Sequence, residues 1–528
     1  MSNIVENIAS KEPLTHWQEA YARAQTEIAA LKAEQARLAR QVAWFKQQIF
    51  GSKSERRFAD TLSQQLNLGQ AGELSTAINP PVPPTTETIT YTRNKTKRTE
   101  IAAVNETGLR FGPEVEVKEI RVIPEAIRDL KPEEYDVIGE KCTHRLAQRP
   151  GAYVVLKYIQ SVVKIKADQS IQSTAAPAAV LEKSYADVSV LAGILVDKFV
   201  AHLPLYRIHQ RLLAAGFDLD RGTLTHWVHR SLSLLEPIYD AVLASIRSGD
   251  TAALDETPMK ATRKEKGKMK QAYFWPVYGD HDEVAFPFFM NRSRHCIDEI
   301  LKGFKGTLIT DGYAAYTSYA RTIENIEHAH CWTHLRRMFL KAEAMEPDRV
   351  AQVLNWIRVL YGHEADIKER QLEGSAKQDY RQAHSAPVVD GFFAWVRTQV
   401  DAQGILPADD FFKAAAFALK HEATYRVFLA RPEVEMDTNH LERALRVIPM
   451  GRKAWLFCWT EVGAKYVGIA QSLLVTCKLH GIDPYTYLVD VLQRVGQHPA
   501  SRVDELIPRR WKEMFGDNPL RSDLFTAV

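Results

Sequence analysis

The sequence predicts a multidomain α+β protein: an N-terminal coiled coil, a small β-rich domain, a helix-turn-helix, and an α/β core followed by a long helical stretch. Three features point there. A heptad repeat fills the N-terminus, the apolar period changes from that of strands to that of helices from Val188, and strands alternate with helices between 250 and 345. With domains of about 150 residues, a chain of 528 holds roughly three to four of them.

Residues 1–57 read as a coiled-coil dimerisation helix. Trp17, Tyr21, Ala24, Ile28, Leu31, Gln35, Leu38, Val42, Phe45 and Ile49 alternate in steps of four and three, which keeps one seam against a partner helix. A single amphipathic helix packed on its own protein is the alternative. Residues 58–100 are linker, marked by Pro80, Pro81, Pro83 and Pro84 and closed by the basic run Arg93, Lys95, Lys97 and Arg98. Residues 101–183 hold the β-branched runs VEVKEIRVI and AYVVLKYIQSVVKIKA, hence a small β-rich domain.

Residues 184–249 form three helices broken at Pro204 and Gly216, the pattern of a helix-turn-helix. The third would present Arg221, Thr223, Thr225, His226 and Arg230 to a DNA major groove. Any three-helix bundle has the same spacing. The α/β core begins at 250–345, residues 346–431 are helical, 432–480 hold two more helices, and 481–528 form a C-terminal segment.

Composition excludes more than it identifies. Lys and Arg number 68 against 65 Asp and Glu, a net +3, so the chain is no polycationic tail protein. Charge is segregated, however. Lys260, Arg263, Lys264, Lys266, Lys268 and Lys270 face only Glu265 in their stretch, and Arg443 to Lys453 contains no acid, so a nucleic-acid partner is compatible. Five scattered cysteines without a CxxC pair suit a reducing compartment. No apolar run approaches the roughly 20 residues of a membrane span, and the N-terminus lacks a basic, then apolar, leader. A cytoplasmic protein without a membrane partner is expected.

Two acids stand where strands end, Asp255 after TAAL and Asp311 after GTLIT, and Glu442 opens a later helix. Carboxylates at neighbouring strand ends can converge on Mg²⁺, a hard cation that takes oxygen ligands. Two such ions about 4 Å apart activate an attacking oxygen and stabilise a leaving one. Each acid also has a plain reading: Asp255 and Asp311 as turn residues, Glu442 paired with Arg446 one helical turn on.

Dense motifs then resemble the insertion sequence 66 family of transposases, members of the DDE superfamily with a ribonuclease-H-like catalytic core. They are Leu254-Asp255-Glu256-Thr257-Pro258, Asn291-Arg292-Ser293-Arg294, and GTLITDGYAAY from Gly306 to Tyr316. Cys331-Trp332-Thr333-His334 with Arg336 and Arg337 follows, then Asp437-Thr438-Asn439-His440-Leu441-Glu442-Arg443 with Arg446. Gly451 to Phe457, Lys478 to Leu488, Leu506-Ile507-Pro508, Phe50 to Arg56 and His202 to Arg207 complete the likeness.

The resemblance implies that Asp255, Asp311 and Glu442 are the catalytic, metal-binding triad for Mg²⁺, with Mn²⁺ as substitute. It makes 346–431 a helical insertion between two parts of the core. The implied reaction is cleavage of insertion-sequence ends and joining of their 3′-OH groups to target DNA. Arg336, Arg337, Arg443, Arg446, Arg452 and Lys453 would contact DNA phosphates, with surface ion pairing as the alternative. Implied partners are terminal inverted repeats, target DNA, a second copy through the coiled coil, and small accessory transposition proteins.

Two departures matter. Family members carry two cysteine pairs before the helix-turn-helix, but here Cys142 and His144 stand alone, which argues against a structural zinc site. The usual Asp-Asn-Asn before the Glu is Asp437-Thr438-Asn439, and Asp437 reads as a helix cap. His328, His330, Cys331 and His334 cluster in sequence without an assigned role. A ribonuclease-H-like nuclease without strand transfer, or a DNA-binding regulator derived from a transposase, would share many of these features.

Overall fold

The computed structural model describes residues 108–525 except 150, 266, 267, 402–407, 456, 457 and 459, together with Tyr21, Ala24, Gln25, Glu27, Ile28 and Leu31. The rest of the expected coiled coil and the whole linker lie outside the described residues. The six N-terminal residues are helical, and the seam positions Tyr21, Ile28 and Leu31 are exposed, by 67%, 51% and 59%.

The described chain falls into two compact units. The larger holds residues 108–337, 356–394 and 417–525. Its first sheet has β3 (Ala152–Ile165) at its centre, with β1 (Val117–Val122) parallel to it and β2 (Tyr135–Arg149) and β4 (Ile171–Ser173) antiparallel. β2 and β3 form one long hairpin, turned at Gly151, whose φ of 80° suits glycine. A C-terminal strap closes this sheet. Buried Tyr158 donates to Asp523 at 2.8 Å, Lys118 Nζ to the Leu524 carbonyl at 3.1 Å, and Ser522 to Asp187 at 2.6 Å. Leu524 joins Ala147, Val154, Leu156 and Tyr158 in the core.

Three helices follow: α1 (Val188–Phe199), α2 (Leu205–Ala214) and α3 (Arg221–Arg247). Asp187 and Asp220 cap α1 and α3 by accepting backbone N–H bonds. The expected third helix runs three turns further than its first apolar stretch, through Pro237, because Ile238, Val242 and Ile246 continue the buried stripe. That stripe lies over the second sheet, where a side chain on Gly279 would press on Ile246.

The second sheet uses β5 (Thr251–Leu254), β8 (Val277–Gly279), β9 (Val284–Ala285), β11 (Gly306–Thr310) and β12 (Ile326–His330) in the order β12-β11-β5-β8-β9. β5, β11 and β12 are parallel and β8 runs against β5. Beyond Leu254 the chain continues into β6 (Thr257–Glu265) and β7 (Lys268–Phe274), an antiparallel ribbon joined by β10 (Phe288–Phe289). The sheet's helices are α4 (Arg294–Ile300), α5 (Ala314–Thr322) and α6 (Trp332–Leu340).

Helices α7 (Pro347–Glu369), α8 (Gly374–Tyr380), α9 (Ala386–Asp401), α10 (Asp410–Lys420) and α11 (Glu422–Ala430) fill the stretch read as helical, with a π-turn at Arg381–Ser385. The smaller unit holds the described residues of 338–355 and 395–416, from the end of α6 to within α10, with the helical residues near 21–31. Its aromatic centre sets Phe411 against Phe339 and Trp395. In the larger unit, fully buried Arg381 donates to Glu364 at 2.7 and 2.9 Å and to the carbonyls of Phe428 and Val434.

The chain ends through α12 (Asn439–Leu445), α13 (Val447–Trp455), α14 (Glu461–Leu479), α15 (Pro484–Arg494) and α16 (Pro508–Phe515). Helix α14 closes on β9: Ser472 Oγ accepts from the Phe286 N–H at 2.9 Å, and Gly468 leaves room for the Phe286 carbonyl. Among the described residues no helix is long and apolar enough to cross a membrane.

Candidate active site

Because β5 and β11 are parallel neighbours, the residues after them emerge at the same sheet end, and these are Asp255 and Asp311. Asp255 Oδ1 accepts the Glu256 N–H at 2.7 Å. Asp311 Oδ1 accepts the Tyr313 N–H at 2.8 Å, an Asx turn that starts α5. Both acids therefore serve as turn residues while presenting a second oxygen. Carboxylate oxygens of Asp255, Glu256 and Asp311 all lie within 4.8 Å of one another. Burial, reinforced by the charges of Glu256, Asp311 and Glu442, pushes Asp255 up to about 7.

Glu442 comes from α12 and stands outside that closest trio. It accepts from Arg337 on α6, and His334 Nε2 is 3.8 Å from its Oε1. Oε1 is buried and takes no hydrogen bond. Glu442 therefore pairs across the fold, with Arg337, and not with Arg446 on its own helix. Helix α12 is anchored at its start: Asp437 accepts the Asn439 N–H at 2.8 Å and the Tyr361 hydroxyl at 2.6 Å. Cys331 Sγ accepts from the Thr438 N–H at 3.3 Å, which ties α6 to the same loop.

Sequence reasoning missed Glu256. Its carboxylate takes the Arg292 guanidinium and the Tyr316 hydroxyl, and Arg292 lies over the Tyr313 ring at 3.9 Å. Burial is the main reason its pKa is raised. The signal was present, since Glu256 and Arg292 both sit within the motifs quoted for the resemblance.

His328, His330 and His421 form a stack beside β12, with ring centroids 4.5 Å apart for the first pair and 4.7 Å for the second. His330 is 3% exposed, and neither ring nitrogen finds a partner. Burial pushes His330 down to about 2 and His328 to about 4. His334 is not part of this stack but faces Glu442.

The predicted DNA-contact residues separate into exposed and engaged sets. On α3, Arg221 and His226 are exposed and Thr223 and Thr225 half-buried, while Arg230 donates to the Glu182 carbonyl at 3.0 Å. Arg336, Arg443, Arg446 and Lys453 are exposed. Arg337 holds Glu442, and Arg452 donates to the Pro258 carbonyl at 2.7 Å.

A family model described as Transposase IS66 family matches residues 183–466, more than half the chain, from just before α1 into α14. The chain belongs to the IS66 transposase family. An IS66 C-terminal element matches residues 472–509, and a model described as Transposase C of IS166 homeodomain matches 37–103. Two relatives are uncharacterized proteins of Sinorhizobium fredii (strain NBRC 101917 / NGR234). One, y4jD, is 30% identical over 395 residues, covering 71% of this chain and 76% of its own. The other, y4qI, is 28% identical over 425 residues, covering 76% and 77%. IS66 membership makes this a transposase-family, DNA-binding protein whose family model spans all three acids.

Proposed function

We propose that this protein is a Mg²⁺-dependent transposase in which Asp255, Asp311 and Glu442 form the metal-binding triad of a ribonuclease-H-like core. The observation that carries this reading is the convergence of Asp255 and Asp311 at one end of parallel β5 and β11. The donor set fits a hard cation: all oxygen, with Asp255 pushed up to about 7 by burial, reinforced by its neighbours' charge, and Glu442 Oε1 buried without a hydrogen bond. When bound, Mg²⁺ would supply Lewis-acid stabilisation of charge on the attacking and leaving oxygens. Mn²⁺ is the expected substitute.

The protein's own groups orient that site. Arg337 holds Glu442, His334 stands beside its free oxygen, the Asp437–Tyr361 contact fixes its helix, and the sheet sets the spacing of the two aspartates. Helices α2 and α3 serve as the helix-turn-helix, with Arg221, Thr223, Thr225 and His226 toward the terminal inverted repeats. Exposed Tyr21, Ile28 and Leu31 support an N-terminal coiled coil joining two copies. The products are insertion-sequence ends cleaved and joined through their 3′-OH groups to target DNA.

The test supplies pre-cleaved insertion-sequence ends, a target plasmid and Mg²⁺. Wild-type protein is expected to yield joined product and Asp311→Asn none. Joining at the wild-type rate by Asp311→Asn would overturn the triad, and wild-type protein that cuts uncleaved insertion-sequence ends in a parallel reaction yet joins none of the pre-cleaved ones would be a nuclease.

A further inference from the structure

The sheet fixes the two aspartates only as far as its pairing runs. Between β5 and β11 the last paired residues are Ala253 and Ile309, two positions before Asp255 and Asp311. Beyond that pair each chain bonds away from the other. The Asp255 N–H donates to the Pro276 carbonyl at 3.3 Å, and the Thr310 carbonyl accepts the Cys331 N–H at 2.9 Å. The final separation of the acids is left to side chains.

Glu256 supplies the link on one side. Asp255 accepts its N–H, and its side chain is only 5% exposed. Its Oε1 takes the Arg292 guanidinium and its Oε2 the Tyr316 hydroxyl. Both partners belong to the Asp311 side. Tyr316 is a fully buried residue of α5, the helix that the Asp311 turn starts. Arg292 lies over the Tyr313 ring at 3.9 Å, and the Tyr313 hydroxyl donates to the Arg292 carbonyl at 3.1 Å. Two residues on, Arg294 donates to Ser318 Oγ of α5 at 3.3 Å. Contacts therefore run unbroken from Asp311 through α5, then Tyr316 and Arg292, to Glu256 and Asp255.

We propose that Glu256, Arg292 and Tyr316 form a clasp that sets the distance between Asp255 and Asp311, with Glu256 a positioning residue and not a third ligand beside the two aspartates. Both of its oxygens are already engaged, one of them by a guanidinium whose charge repels a cation at the same atom. The proposal rests on the triad reading for the metal role of the aspartates.

The experiment measures Mn²⁺ binding by full-length protein without DNA, from the electron paramagnetic resonance signal of the free ion, at a temperature well below each protein's metal-free melting temperature. Arg292→Lys keeps the charge but loses the flat guanidinium over Tyr313, and Tyr316→Phe removes one hydroxyl from a buried ring. Loss of a group that orients a metal ligand costs about 10- to 100-fold in affinity, so each variant is expected to bind Mn²⁺ at least about 10-fold more weakly. A Glu256 that ligates predicts the opposite: loosening its partners would leave affinity unchanged or raise it, which would overturn the clasp. A lower melting temperature with unchanged affinity would overturn it too, as the mark of merely structural contacts. Should Arg292→Lys not fold, Tyr316→Phe decides alone. Asp311→Asn in the same assay separates the two readings. Binding lost in Asp311→Asn but kept in both clasp variants removes only the clasp; binding kept in Asp311→Asn removes the triad, and the clasp with it.

Discussion

Lowering the pH from 7 to 5 challenges the stack of His328, His330 and His421. In an unfolded chain both His328 and His330 take up protons near 6.5, whereas burial holds them near 4 and 2 when folded. Arg321, Lys420 and the other imidazoles face the stack, so every nearby charge opposes protonation. Below 6.5 the unfolded state binds more protons than the folded one. Stability is therefore fully present above that pH and declines as pH falls. At pH 5, one and a half pH units below 6.5, each ring costs about 2 kcal/mol, and the pair about 4 kcal/mol. The measurement is the urea midpoint at pH 7 and pH 5 for wild type and His330→Phe. Phenylalanine fits among Phe417 and Tyr425 and replaces a ring whose two nitrogens have no partner, so no stability loss is expected at pH 7. The acid loss should shrink by about 2 kcal/mol. Equal acid losses in the two proteins would refute a neutral, buried His330.

Arg381→Met removes a fully buried guanidinium and strands Glu364 with the Phe428 and Val434 carbonyls; a loss of about 3–5 kcal/mol in urea unfolding is expected. Gly468→Ala drives a methyl into the Phe286 carbonyl, separates α14 from β9, and should cost about 1–3 kcal/mol in the same assay. Mg²⁺ should raise the melting temperature at pH 8, and the gain should fade as protons compete for Asp255 below about 7. Asp255→Asn should raise the metal-free melting temperature at pH 8, since an ionised carboxylate is costly there, and abolish most of the Mg²⁺ effect, both read by calorimetry.

Legibility followed locality. Asp255 and Asp311 could be read because each ends a short apolar strand, and their meeting needs only that the strands be parallel neighbours. Strand β3 was visible in its β-branched run, but β2 was not, because its residues Tyr135–Arg149 are largely polar along an exposed half. The length of α3 was not legible in its first apolar stretch, because the buried stripe of Ile238, Val242 and Ile246 continues beyond Pro237, a residue ill suited to a helix interior. Glu256 was overlooked because adjacent strand residues point to opposite faces. The turn after β5 breaks that rule and swings both carboxylates to one side. The pairing of Arg337 with Glu442, 105 residues apart, and the stack of His330 with His421 depend on the helical stretch folding back, which no local period encodes.

The strap over the first sheet sets a clock on synthesis. Tyr158 and Asp523 are 365 residues apart. At about 5–20 residues per second, a ribosome makes the second roughly 20–70 s after the first. During that interval the β1–β4 sheet stands without Leu524 over its core, so any product truncated before residue 522 never completes the sheet. Closure of this sheet therefore waits on residues 522–524, and tags or fusions inserted near Leu524 should be placed with that closure in mind.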